Sequence, residues 1–263
     1  LIKKKTILRI IDGKAIEVED SVVAEHSLTI YLNSQQVVNL LCSPVKLDYM
    51  AIGFLLNEGY ISTKEDILKT EVKSSERSSK AYITTIPQRG TLDNDKWLIT
   101  ITSSGGKYMP SGTSREDTVK GKIESAIKIK PAEITALVEQ FHRHSPVFVA
   151  TGGVHSVALC DNENILVFSD DIGRHNAMDR TFGECLMKDI KTTDRIVITS
   201  GRVSSEIMNK VARRNVPVLL SVSAPTDVAV ELADSLGITL VGFVRGNKMN
   251  IYTHSRRVLL DDR

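Results

Sequence analysis

The sequence predicts an α/β protein in which a small α/β roll precedes a mixed sheet that is partly parallel. Three observations carry this. Strand-like and helix-like runs alternate as β-α-β-α-β from residue 195 to 244, and strands joined through helices pair in parallel with right-handed crossovers. Ahead of them, short apolar runs come in pairs around the turn dipeptides Asp12-Gly13 and Asn33-Ser34, the pattern of β-hairpins. The chain has 263 residues, 41% hydrophobic and 25% charged, enough for one large domain or two modest ones.

In chain order, 5–11 and 15–18 flank the first turn, and 28–32 and 37–41 flank the second. Leu47, Met50, Ala51, Phe54 and Leu55 then fall at helical spacing, with Gly59 placed to end that helix. Strands are predicted at 68–72 and 81–86, with the charged run 73–80 as a solvated connection. The Gly/Ser-rich stretch 102–114 reads as a linker or a lid; a phosphate-cradling loop is disfavoured because the rest of a P-loop pattern is missing. Pro131 opens a helix with Ile134, Leu137, Val138 and Phe141 on one face. A hairpin of strands follows at 154–160 and 165–169, then a helix that buries Met178, Phe182, Cys185 and Leu186. The alternating part consists of strands at 196–199, 218–222 and 238–244. The helices between them carry Ile207, Met208 and Val211, then Val228, Ala229, Leu232, Ala233 and Leu236, the second closed by Gly237. A short last strand is expected at 250–253. These elements divide the chain into a roll (1–95), a connecting region (96–130) and a C-terminal domain (131–263).

Net charge is only +2, which argues against a broad nucleic-acid surface, so any phosphate contact must be local. Cys42, Cys160 and Cys185 are widely spaced and odd in number, which argues against a disulfide framework and for a reducing cytoplasm. Cys42, just before Pro44, reads as a small buried hydrophobe. The opening Leu1-Ile2-Lys3-Lys4-Lys5 lacks the apolar core of a secretory signal. The most apolar helix, around 50–56, is too short to span a bilayer.

Glycines, arginines and small polar residues recur where the predicted strands end. Thr151-Gly152-Gly153-Val154-His155 comes first, then Gly173-Arg174-His175-Asn176 and Ser200-Gly201-Arg202 with Ser204. Ala224-Pro225-Thr226 and Phe243-Val244-Arg245-Gly246-Asn247-Lys248 complete the set. In a parallel sheet, turns at strand carboxyl ends gather on one side and bind ligands there. Glycine lets a backbone approach a ligand, helix starts present N–H groups to anions, and arginine matches phosphate geometry. The expectation is a crevice for a phosphorylated ligand, against the plainer reading that Ser204 and Thr226 merely cap helices. Zinc hydrolysis is disfavoured because His155 is followed by Ser156-Val157 rather than a His-x-Glu element, and no Cys-x-x-Cys occurs. The Gly-x-Ser-x-Gly elbow of an α/β-hydrolase is also absent.

Taken together, these stretches resemble the formate dehydrogenase accessory proteins of the FdhD/NarQ type, in collinear order over nearly the whole chain. Leu41-Cys42-Ser43-Pro44, Gly53-Phe54-Leu55-Leu56-Asn57-Glu58-Gly59 and Asn250-Ile251-Tyr252-Thr253-His254 match as well. The resemblance implies a C-terminal three-layer domain of cytidine-deaminase-like fold without the zinc, preceded by the roll. It implies a cytoplasmic homodimer that accepts sulfur from a cysteine desulfurase and passes it to the molybdenum bis-molybdopterin guanine dinucleotide cofactor. That cofactor is then inserted into the formate dehydrogenase apo-enzyme. The resemblance puts cofactor binding on Phe243, Val244, Arg245, Gly246, Asn247 and Lys248, and GDP is the natural mimic of the ligand. The family's persulfide cysteine falls in a loop that here reads Thr102-Ser103-Ser104-Gly105-Gly106-Lys107. A hydroxyl cannot carry a persulfide, since that chemistry needs a thiolate. Two functions remain: a sulfurtransferase using another thiol, with Cys42 the candidate, or a non-catalytic chaperone of the molybdenum cofactor.

Overall fold

The computed structural model describes residues 1–87, 99–101 and 121–260. The loop at 102–107, where the family's persulfide cysteine would fall, lies outside the described residues. A two-stranded ribbon comes first, β1 (Ile2–Ile11) and β2 (Lys14–Val23), turned by Asp12-Gly13, both at positive φ. The second hairpin pairs β3 (His26–Leu32) with β4 (Gln35–Cys42) through Asn33-Ser34. It is the centre of a five-stranded sheet with β5 (Ile67–Ser74), β6 (Ser78–Thr85) and β7 (Ile99–Ile101), in the order β5-β6-β3-β4-β7.

The charged run 73–80 is not the solvated connection expected from its composition. β5 and β6 continue into it until only 75–77 remain as a turn. Ser75 closes that turn by donating from its backbone N–H and its hydroxyl to the Ser78 carbonyl. Alternation supplies the reason: Ser79 and Ala81 point inward and are buried while Lys80 points out.

Helix α1 (Leu47–Asn57) has eight buried residues and packs between this sheet and α4 (Arg174–Met187). The C-terminal part is a six-stranded mixed sheet of β8 (His155–Cys160), β9 (Ile165–Asp171), β10 (Ile196–Thr199), β11 (Val218–Ser221), β12 (Thr239–Arg245) and β13 (Lys248–Ile251). Their order is β13-β12-β11-β10-β8-β9, with β10, β11 and β12 parallel and the other three antiparallel to their neighbours.

Alternation along these strands builds two cores. Val157, Leu159, Val197, Leu219 and Leu240 face α4, α5 (Ser205–Arg213) and α6 (Asp227–Leu236). Ala158, Ile196, Ile198, Val218 and Leu220 face α2 (Pro131–Arg143). The first core runs without a break through α1 into the five-stranded sheet. The N-terminal sheet is therefore welded onto the helical layer of the C-terminal sheet by burial of apolar surface, the dominant favourable contribution to folding.

Candidate functional site: a crevice beyond the strand ends

The register brings the predicted turns to one edge. His155 at the start of β8 pairs with Asp171 at the end of β9, and the Ser200 N–H donates to the Ser156 carbonyl just past β10. Since β10, β11 and β12 are parallel, Ser200, Val222 and Gly246 leave the sheet on this same side.

Two cavities open there. One, about 400 Å³, is lined by Gly152, Gly153, Val154, His155, Ser156, Ile172 and Ser200, and closed by Phe141, His142, Ser145 and Phe148. The other, about 300 Å³, lies beside Val244, Arg245 and Gly246, with Thr135, Val138 and Glu139 of α2 opposite. His142 and Val222 line both, so the two adjoin.

Arg174 begins α4 and lays its stem over Gly201: a methyl group there would stand 3.1 Å from Arg174 Cβ and 3.6 Å from His155 Nδ1. Glycine at 201 is what permits this close approach. Burial and the neighbouring Arg202 pull the Arg174 pKa down, with Glu206 opposing. Its Nε is buried without an acceptor among the described residues. His155 Nδ1 sits 3.5 Å from Ser200 Oγ. Burial, then the charges of Arg174 and His175, lower its pKa, while Asp171 works the other way. Arg174 thus leaves one buried hydrogen-bond donor unspent beside His155.

Other predicted site residues serve as framework. Asn176 donates to the Leu41 carbonyl at 2.8 Å and to Asp171 Oδ1 at 2.9 Å, and the Gly173 N–H donates to the same carboxylate. His175 is buried, with Nε2 3.0 Å from Glu206 Oε2. Thr151 donates to the Val147 carbonyl and accepts from the Gly153 N–H. Ser204 and Thr226 cap α5 and α6, accepting from Ile207 and Ala229. Ala224 accepts from the Val203 N–H, and Val203 accepts from the Thr226 N–H, so the turns holding Pro225 and Arg202 are zipped together. Arg245 lies 5.8 Å from the Phe243 ring. Asn247 in the exposed hairpin turn and Lys248 at the start of β13 line neither cavity.

Sequence reasoning missed one wall. Helix α3 (Pro146–Thr151) starts where the Ser145 hydroxyl accepts from the Phe148 N–H, and ends at Gly152 with φ +62. The Ser-Pro start and the following glycine were the available signals. It also missed Asp170, which accepts from Ser156 at 2.5 Å and Ser145 at 2.7 Å and whose pKa burial raises against those bonds.

Behind the crevice, Asp171 and Arg180 form a buried pair at 2.6 Å. Arg180 also donates to the Ser43 carbonyl, the Ser43 N–H donates to Asp171, and the Ser43 hydroxyl accepts from Ile172. Ser43 is thus the clamp between the N-terminal sheet and the crevice. Cys42, the candidate thiol, is fully buried beside it, and burial with the Asp171 charge pushes its pKa up to about 12. Cys160 and Cys185 are likewise buried and pushed to about 12.

The same segments, from the Ser43 clamp to the glycine-arginine turns, lie within a match to the FdhD/NarQ family that spans residues 23–259. The chain belongs to the FdhD/NarQ family. Among curated members, a sulfur carrier protein FdhD from Geobacillus kaustophilus is 38% identical over 260 residues, covering 98% of this chain and 97% of that one. A protein of the same name from Bacillus subtilis is 35% identical over 254 residues, with 97% and 96% covered. In fold, the FdhD/NarQ chain matches a crystal structure from Desulfotalea psychrophila assigned as a formate dehydrogenase accessory protein. The TM-score is 0.79 at 24% identity, with 98% of this chain and 100% of that one covered.

Proposed function

We propose that this FdhD/NarQ protein is a formate dehydrogenase accessory protein that binds the molybdenum bis-molybdopterin guanine dinucleotide cofactor at the paired cavities. The observation that carries it is the meeting of Arg174, Arg202 and Gly201 beside His155, the one of the four that lines the first cavity, with the Arg245 cavity adjoining. The donor set fits a pyrophosphate. Arg174 has an unspent buried Nε, burial and then the Arg202 guanidinium lower its pKa, and a glycine keeps the floor open.

Arg174 and Arg202 would hold one pyrophosphate and Arg245 the second dinucleotide arm. Phe148 and Phe141 supply apolar surface for the rest of the ligand. When bound there, the cofactor would supply the molybdenum as the sulfur acceptor. The FdhD/NarQ chain's own residues bind it, orient it and shield it from water. The sheet order with helices on both faces supports reading residues 131–263 as a cytidine-deaminase-like binding domain, 1–95 as its roll and 96–130 as the connection. Family membership supports a cytoplasmic homodimer that works with a cysteine desulfurase and the formate dehydrogenase apo-enzyme.

The relatives' name, sulfur carrier protein, favours a second reading in which this chain also carries sulfur. Its three cysteines are Cys42, Cys160 and Cys185, all buried, and a thiol with a pKa near 12 is almost never the thiolate that attack on a sulfane sulfur requires. Burial therefore favours the chaperone reading over sulfur carriage by this chain's own thiols.

Titration calorimetry with GDP tests the binding: saturable heat supports it and none sinks it. Incubation with a desulfurase and radiolabelled cysteine separates the two readings. Protein without label supports the chaperone, and label retained on Cys42 supports the carrier.

A further inference from the structure

The smaller cavity, beside Arg245, is lined by a carboxylate that has no part in holding phosphate. On α2, Thr135, Glu139 and His142 are spaced i, i+4 and i+7, so they share one face, and all three line the cavity. The Thr135 hydroxyl donates to the Gly246 carbonyl at 3.2 Å, which docks that face against the turn after β12. Glu139 and Arg245 are both exposed. Among the described residues, neither the Glu139 carboxylate nor the Arg245 guanidinium has a hydrogen bond or an ion pair, and the arginine has only the Phe243 ring at 5.8 Å. One wall thus offers an acceptor and the other a cation, held apart rather than paired.

A free carboxylate is out of place in a cavity for phosphate alone, since it repels an entering anion. It fits a ligand that is anionic at one end and rich in hydrogen-bond donors at the other. Guanine nucleotides are polarised in that way. The guanine edge carries N1–H and the 2-amino group side by side, and an ionised carboxylate, which only accepts, can take both at once. Adenine presents a lone pair at N1 where guanine has a hydrogen, so the same carboxylate repels it. Hypoxanthine keeps N1–H but lacks the 2-amino group. Ribose hydroxyls are the competing donors. Against them, Val138, Val222 and Val244 line the same cavity, and apolar walls suit the faces of a planar base better than a hydroxylated sugar.

We infer that Glu139 selects the guanine base of the dinucleotide arm bound at Arg245. The inference rests on the cofactor reading above and names the residue that makes this part of the site prefer guanine to other bases. An exposed Glu139–Arg245 ion pair would contribute little, so turning both groups onto a ligand forfeits almost nothing. Selectivity then follows from the wrong base leaving the carboxylate unmatched rather than from extra contacts to the right one.

Titration calorimetry of the full chain with GDP, IDP and ADP tests it, in wild type, Glu139→Gln and Arg245→Ala, with circular dichroism showing that each variant is folded. Arg245→Ala should weaken all three nucleotides by a similar factor, and so marks which isotherm belongs to this cavity. At that site, wild type should bind GDP at least about tenfold tighter than ADP, with IDP between them. Glu139→Gln should draw the three together, chiefly by weakening GDP, because a neutral amide cannot accept both guanine donors and can itself donate to adenine N1. Equal wild-type affinity for GDP and ADP overturns the inference. So does a Glu139→Gln protein that keeps the full preference, or one that loses all three nucleotides equally, which would put the carboxylate on the ribose. Binding without base preference leaves the cofactor reading standing, whereas no binding of any nucleotide ends both.

Discussion

Gly53 of α1 and Gly183 of α4 mark the point where the two helices cross at backbone distance. A methyl on Gly53 would stand 1.7 Å from the Asp179 carbonyl oxygen, and one on Gly183 would stand 2.0 Å from that of Tyr49. The obstruction is backbone on both sides, so no rotamer change relieves it. Overpacking commonly costs about 1–3 kcal/mol, and a carbonyl at that distance puts Gly53→Ala at or beyond the upper end. Urea denaturation should show the loss. A midpoint equal to wild type would mean that the helices do not cross so closely.

The buried Asp171–Arg180 pair holds the Ser43 clamp. Arg180→Met leaves Asp171 charged in the interior, and breaking a buried pair on one side costs about 3–5 kcal/mol. The variant should unfold at lower urea and bind GDP more weakly, since Ile172 and Gly173 hang on the same network. Full stability in Arg180→Met would contradict the clamp.

Arg174→Ala and Arg202→Ala should each weaken GDP binding by about 1–3 kcal/mol, the scale of a charged hydrogen bond. Asn176→Ala should instead lower stability, because its amide is spent on Leu41 and Asp171. Calorimetry beside urea melts separates the two behaviours, and unchanged affinity in both arginine variants would place their guanidinium groups away from the ligand.

The His155 pKa is depressed below 6.5 by burial and by the charges of Arg174 and His175. A histidine whose folded pKa is lowered binds fewer protons in the native state than in the unfolded one. Its contribution is therefore complete above about pH 6.5 and is lost as pH falls below it. His26, lowered by burial, acts in the same direction. Urea midpoints should fall between about pH 7.5 and about pH 5.5, less steeply in His155→Gln. An anion in the crevice reverses the local field, so GDP should bind tighter as pH falls. An equal pH slope in His155→Gln and wild type would discount this.

All three thiols should resist an aromatic disulfide reagent in the native protein and react fully in denaturant. Fast reaction of one native thiol, followed by peptide mapping to Cys42, would favour the sulfur-carrying reading.

The β-α-β-α-β alternation after residue 195 was legible because each strand is a short, largely apolar run and each helix repeats its apolar positions at helical spacing. The turns at Asp12-Gly13 and Asn33-Ser34 were legible because their backbones sit at positive φ, which glycine and asparagine tolerate best. The run 73–80 was misread because its lysines and serines look like loop, yet a strand half in solvent accepts them on its outer side. Helix α3 went unseen because six residues are too few to show a period.

By itself, the sequence determined the fold class, the family and the glycine-arginine turns, because periodicity and turn chemistry are local properties. Only the tertiary structure decided which of those residues face a ligand. It set Arg174 over Gly201 and turned Asn176 inward to brace the framework. It also sealed all three thiols in the interior. Those outcomes depend on contacts between residues as many as 135 positions apart, and no local pattern encodes which partner will occupy the space beside a side chain.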